Sequence, residues 1–205
     1  MNCLLCGVGG QGTVLASRLI AQCAMDAGAF ARTSETIGMA QRGGSVVSHV
    51  RWHDHAGAIP SPLIPLGGAD ALIGFEPGEA VRCLPYLKPG GAAVVSVNGV
   101  TSAVAALSGN QPDAAVFVDY LRKAAPNLIL LDGAEIARRV GSAKTLNMAL
   151  LGAAARLLGF SVESMLDALR KRLSPRLVEL NRLALEEGAA ASGSARTVNP
   201  KEGSI

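Results

Sequence analysis

Apolar residues recur along this chain in two rhythms, and the switch between them outlines the fold. Short runs rich in apolar and β-branched residues, stopped by glycine or a turn, mark strands at 2–6 (NCLLC), 29–33, 45–52 (SVVSHVRW), 71–75 (ALIGF), 92–97 (AAVVSV) and 127–131 (NLILL). Between the first two, Val14, Leu15, Leu19, Ile20, Cys23 and Ala24 form a stripe at helical spacing over 13–27, with Gly28 placed as its C-cap. Glu76-Pro77 opens a helix reaching about residue 87, with Pro77 suited to the first turn, and 113–125 forms another. Residues 88–91 (KPGG) read as a turn and 98–112 as a loop. In 53–69, Pro60, Pro62 and Pro65 exclude a central strand or a helix interior. After 131 the alternation stops, and 133–140, 145–158, 162–173 and 175–187 all read as helices, with Ser161 and Ser174 as N-caps and Pro175 at a first helical position. This order predicts one α/β domain over 1–187. It is a three-layer, Rossmann-like sheet, mostly parallel with room for a mixed strand, followed by a helical C-terminal segment. Residues 188–205, mostly Ala, Ser, Gly and single charges, are expected to form a flexible tail or one pinned on a partner.

Two segments stand out because both carry glycines beside a strand. Gly7-Val8-Gly9-Gly10-Gln11-Gly12 has the G-x-G-x-x-G spacing between a strand and a helix. Glycines there let the backbone turn tightly and approach a ligand, while helix N–H groups attract an anion. Residues 33–44 (TSETIGMAQRGG) are too long for a simple connection, and they mix hydroxyls, a carboxylate, an amide and a guanidinium with glycines. The two loops are expected side by side at the carboxyl edge of the sheet, where open α/β sheets bind ligands or partners. Arg42, beside Gly43 and Gly44, suits a fork onto a phosphate or carboxylate, and equally a brace to Glu35. A nucleotide site would also want an acid closing the second strand, yet Arg32 stands there and Glu35 comes later. A glycine loop packed on a partner, or on a partner's ligand, is therefore expected ahead of one that binds NAD(P) itself.

Composition removes other classes. Aromatic content is 3% and net charge +3 with scattered Lys and Arg, which argues against a nucleic-acid platform. Hydrophobic residues make up 49% and charged ones 17%, so part of the lightly charged surface is expected to lie against another subunit. No apolar run approaches membrane-span length and no basic leader precedes the first strand, so a cytoplasmic protein is expected.

The four cysteines, Cys3, Cys6, Cys23 and Cys83, have no metal spacing. Cys3 and Cys6 lie three apart on a strand and so face opposite sheet surfaces, as buried small hydrophobes. His49, His53 and His55 read as strand and turn residues rather than a metal or acid/base fragment. No catalytic acid, base or nucleophile can be assigned, and no metal or iron–sulfur cluster is expected on this chain.

Taken together, GVGGQG, TSETIGMAQRGGSVVSHVRW, SPLIPLGGADALIGFEPGEAVRCLPYLKPGG and LNMALLGAAARLLG resemble the gamma-type subunit of the 2-oxoacid:ferredoxin oxidoreductases, within them the small subunits of the indolepyruvate branch. The resemblance spans about residues 2–187. It implies a heteromeric enzyme that decarboxylates aryl pyruvates (indolepyruvate, phenylpyruvate) to acyl-CoA and CO2 while reducing ferredoxin. The alternative is a gamma subunit for pyruvate, 2-oxoglutarate or branched 2-oxoacids that serves only for assembly. Thiamine diphosphate, Mg2+ and [4Fe-4S] clusters would belong to the large (alpha) subunit, and the complex would also use coenzyme A, with no cofactor bound by this chain alone. By the same resemblance, Gly7, Gly9, Gly10, Gln11 and Gly12, with Ser34, Glu35, Met39, Gln41, Arg42, Gly43 and Gly44, would line the cleft towards that subunit.

Overall fold

The computed structural model of the chain describes residues 1–38, 44–99 and 113–194. Its centre is a six-stranded sheet formed by β1 (Asn2–Val8), β2 (Phe30–Ile37), β3 (Ser45–His53), β4 (Ala69–Gly74), β5 (Leu87–Ser96) and β6 (Asn127–Leu131), in the order β2-β3-β1-β4-β5-β6. β1, β4, β5 and β6 are mutually parallel, whereas β3 runs antiparallel to both neighbours, so the sheet is mixed. The helices among the described residues are α1 (Thr13–Asp26), α2 (Pro77–Cys83), α3 (Ala114–Ala124), α4 (Gly133–Val140), α5 (Leu146–Leu158), α6 (Val162–Arg170) and α7 (Pro175–Ser194).

Alternation along β1 divides the interior in two. Cys3 and Leu5 face a core shared with α1, α4, α5, α6 and α7. Leu4 and Cys6 face a smaller core closed by α2 and α3. The two cysteines therefore lie on opposite surfaces, as their spacing implied, and all four are buried free thiols. α5 is apolar almost all round because it lies between the sheet and α7. Its Gly152 meets α7 so closely that a Cβ there would fall 2.0 Å from Leu185 O, and a Cβ on Gly188 of α7 would fall 1.9 Å from Ala149 O. Among the described residues no helix is long and apolar enough to cross a membrane.

The structure corrects four boundaries. β2 continues to Ile37, so Thr33–Ile37, expected as loop, completes an antiparallel ladder against β3, with Thr33, Thr36 and Ile37 favouring that form. α2 ends at Cys83 and gives way to a 3-10 turn over Leu84–Tyr86, because Pro85 cannot continue the hydrogen-bond ladder. Residues 88–91 lie within β5, where the register shifts between Ala69 and Ala71 of β4 and Gly90 takes φ 76°. α7 runs to Ser194 rather than Glu187, since Gly188 lets it cross α5 and Ala191 still packs on the core. Residues 195–205 of the expected tail, and 100–112 of the expected loop, lie outside the described residues.

Candidate functional site at the carboxyl rim

Because β3 runs backwards, the segment joining β2 to β3 starts and ends at the edge where β1 stops. Ser45 pairs with Val8 at the end of β1, and Ile37 pairs with Val46. The two glycine-bearing segments touch there, with Gly9 N donating to Gly44 O at 2.8 Å. They sit side by side as expected, at the carboxyl ends of β1, β4, β5 and β6.

Gln11 is the internal brace of this rim. Its Oε1 accepts from Val8 N at 2.8 Å and its Nε2 donates to Phe75 O at 3.0 Å, which ties the loop to the end of β4. Gly7 makes room for it, since a Cβ there would lie 2.6 Å from Gln11 Oε1 and 3.1 Å from Phe75 Cβ. Removing the amide leaves two backbone groups unpaired. Gln11→Leu is therefore expected to destabilise the chain by about 2 kcal/mol in urea unfolding, and a change below a few tenths would mean that the brace is dispensable.

Gly12 adopts φ 80° at the N-cap of α1, a left-handed conformation, and the buried Asn147 of α5 leans onto it. Asn147 Nδ2 lies 3.4 Å from Gly12 O, and Asn147 Oδ1 accepts from Met148 N at 2.9 Å. Among the described residues α1 has no side-chain cap and no acid in its first turn, so no described side chain answers its leading N–H groups. By contrast, α2, α3 and α4, which follow β4, β5 and β6, are capped by Glu76, Asp113 and Asp132. Beside Gly44, the Ser45 hydroxyl donates to Glu79 Oε2 at 2.6 Å, and Arg82 is bonded to both. At the far end of the rim Asn98 Oδ1 accepts from Ser96 Oγ and from Ala134 N, each at 3.0 Å.

Ser34 and Glu35 sit within β2 rather than in a loop, and they point to opposite faces. Ser34 lies opposite His49, while Glu35 turns towards α1, where the Ser17 hydroxyl approaches its Oε1 at 3.3 Å. Met39, Gln41, Arg42 and Gly43 lie outside the described residues, as does the proposed Arg42–Glu35 brace. Asn147, Ser45, Glu79 and Arg82 were missed. A lone amide in the apolar run LNMALLGAAARLL was a usable signal for the first, and the Glu79/Arg82 spacing on α2 for the last two.

The histidines lie away from the rim. Burial lowers the pKa of His49, whose Nδ1 accepts from Ile64 N at 3.1 Å, and His53 and His55 stand at the opposite end of β3. The interaction of the Cys6 and Cys83 thiols, together with burial, holds Cys6 well above the usual thiol range, while the same interaction holds Cys83 lower. Burial pushes Cys23 up to about 11. Among the described residues no group of three or more His, Cys, Asp or Glu side chains is placed to hold a metal ion. The rim therefore offers, among the described residues, backbone groups, amides, the Ser45–Glu79–Arg82 cluster and the start of α1.

Comparison with known proteins gives this rim a context. The family model described as pyruvate ferredoxin/flavodoxin oxidoreductase matches residues 2–191. The chain is 37% identical over 194 residues to "Indolepyruvate oxidoreductase subunit IorB" of Archaeoglobus fulgidus, covering 92% of this chain and 93% of that protein. It is 34% identical over 194 residues to the protein of the same name from Methanothermobacter thermautotrophicus, covering 93% and 97%. Among solved structures, the keto/oxoacid ferredoxin oxidoreductase gamma subunit of Geobacter sulfurreducens superposes with TM-score 0.68 at 26% identity, over 95% of this chain and 99% of that one. The chain thus falls in the class of oxidoreductase-complex subunits. It belongs to the pyruvate ferredoxin/flavodoxin oxidoreductase family, as a subunit of the gamma type whose curated relatives at 31–37% identity are IorB subunits.

Proposed function

We propose that this chain is the small subunit of an indolepyruvate:ferredoxin oxidoreductase. In that reaction an aryl pyruvate, coenzyme A and two oxidised ferredoxins give the acyl-CoA, CO2, two reduced ferredoxins and a proton. The joined rim loops would close one wall of the substrate or coenzyme A channel against the large subunit. The chemistry of thiamine diphosphate, Mg2+ and [4Fe-4S] clusters would be supplied by that subunit. What supports the reading is the contact of Gly9 with Gly44, which brings both motif loops to one rim beside an uncapped helix terminus. Its test is co-purification with the large subunit and assay of a 2-oxoacid panel with ferredoxin. Indolepyruvate should turn over fastest, and Arg42→Ala should raise the KM for coenzyme A about 30-fold, the value of a charge-assisted anchor. An Arg42→Ala complex that assembles and turns over normally removes the channel-wall role.

A second reading makes the chain an assembly module. It is favoured by the internal use of Gln11, whose amide is spent on Val8 and Phe75 rather than on a ligand. Relatives at 26–27% identity are gamma subunits described as common to pyruvate and ketoisovalerate oxidoreductases, which fits substrate choice by another subunit. Undiminished decarboxylation by the large subunit alone, with an artificial electron acceptor, would decide for this reading.

A further inference from the structure

Among the described residues β2 is the outermost strand of the sheet, and its far edge has no strand beside it. Such edges are ordinarily blunted by proline, charged side chains or a bulge. β2 has neither proline nor bulge: its register against β3 is unbroken over 8 residues, and the one charge on its open face is Arg32. α1 packs on one face, where Glu35 is engaged by Ser17. The other face presents Phe30, Arg32 and Thr36 to solvent, with Phe30 52% exposed, and the exposed Leu63 lies alongside on the segment held by Arg51.

The charge on that face is unbalanced. Arg32 is the cross-strand partner of Arg51, and like charges directly opposite repel. Arg51 gives its donors to neutral acceptors, Asn2 Oδ1, Ser61 O and Leu63 O. Two strands further in, on β4, Asp70 is already answered by Lys88. Among the described residues neither guanidinium has a carboxylate within ion-pairing distance.

We propose that the open edge of β2 receives an extended, acid-bearing segment of the large subunit as a seventh strand, with a carboxylate set against Arg32. Strand addition of this kind draws affinity from main-chain hydrogen bonds and specificity from alternate side chains. A second copy of this chain fits worse. Pairing two β2 edges antiparallel about a two-fold axis keeps like faces together, so it would gather four arginines and bring no acid, because Glu35 points the other way. The segment would also continue directly to the rim, since β2 ends at Ile37 beside Ser45 and Val46. This inference rests on the reading of the chain as a small subunit.

Amide hydrogen exchange across residues 30–37, in the free chain and in the complex with the large subunit, tests it without any variant. Protection of those amides on assembly is expected. Arg32→Glu, at an exposed position, should weaken assembly at least ~10-fold without lowering the melting temperature of the free chain, because a glutamate there faces Arg51. A complex whose β2 amides exchange as in the free chain overturns the proposal and leaves the small-subunit reading intact. So does a free chain that dimerises with β2 protected. Failure to form any complex with the large subunit sinks both.

Discussion

Gly152→Ala is expected to weaken the fold by about 3 kcal/mol, because the added methyl meets backbone rather than a side chain that can swing away. The new Cβ would lie 2.0 Å from Leu185 O and 2.8 Å from Leu185 C, so α5 and α7 must separate along their crossing. For a domain of this size that corresponds to a fall of about 6–12 °C in melting temperature, readable by circular dichroism of the isolated chain. Gly188→Ala attacks the same crossing from the other side, at Ala149 O. Once one methyl has forced the helices apart, the second has less to displace. The double variant should therefore lose clearly less than the two single losses added together. A shift under about 2 °C for either single variant would show that the helices slide freely and that their close approach is incidental.

Gly12→Ala should produce the largest loss of turnover. Two penalties coincide at this residue: alanine at φ 80° costs about 1–2 kcal/mol, and its Cβ would fall 2.3 Å from Asn147 Nδ2. Asn147 is buried and holds Met148 N, so it cannot retreat without loosening the start of α5. Gly28→Ala supplies the comparison, because Gly28 has φ 86° with open space where the methyl would go. Gly28→Ala is expected to cost about 1 kcal/mol and leave the assembled enzyme's rate unchanged. Gly12→Ala should cost about 3 kcal/mol and lower the rate of the complex about tenfold or more, since a small misplacement at a channel wall is amplified in rate. Equal effects from both variants would mean that the rim loop has no part in turnover.

How far the sequence could be read varied with the range of the interactions involved. The strand–glycine–helix start was legible because Gly7 to Gly12 and the stripe from Val14 to Ala24 are local signals. The meeting of the two loops at one rim was expected from glycine-bearing segments at strand ends, but its cause lies in the pairing: β2 does not neighbour β1, and the second segment reaches the rim by entering the reversed β3. The reversed direction of β3 was not legible, because SVVSHVRW suits a strand of either direction and only its partners decide. The same pairing drew Ser34 and Glu35 out of their expected loop and onto opposite faces. Gln11 passed as one letter of a motif, although its amide spans 64 residues to reach Phe75. The length of α7 depended on a contact as well: Gly188 reads as a helix breaker until α5 is present to require a residue with no side chain.

The concealed sulfur atoms make this chain its own stability gauge. Cys3, Cys6, Cys23 and Cys83 are each at most 2% exposed and are spread over both sides of the sheet. An alkylating reagent reaches them only when the packing opens, so the speed of carbamidomethylation under native conditions tracks the rare excursions of the whole domain. The difference in that speed between the lone chain and its assembled form would measure, in solution and without any attached dye, how firmly association clamps it shut.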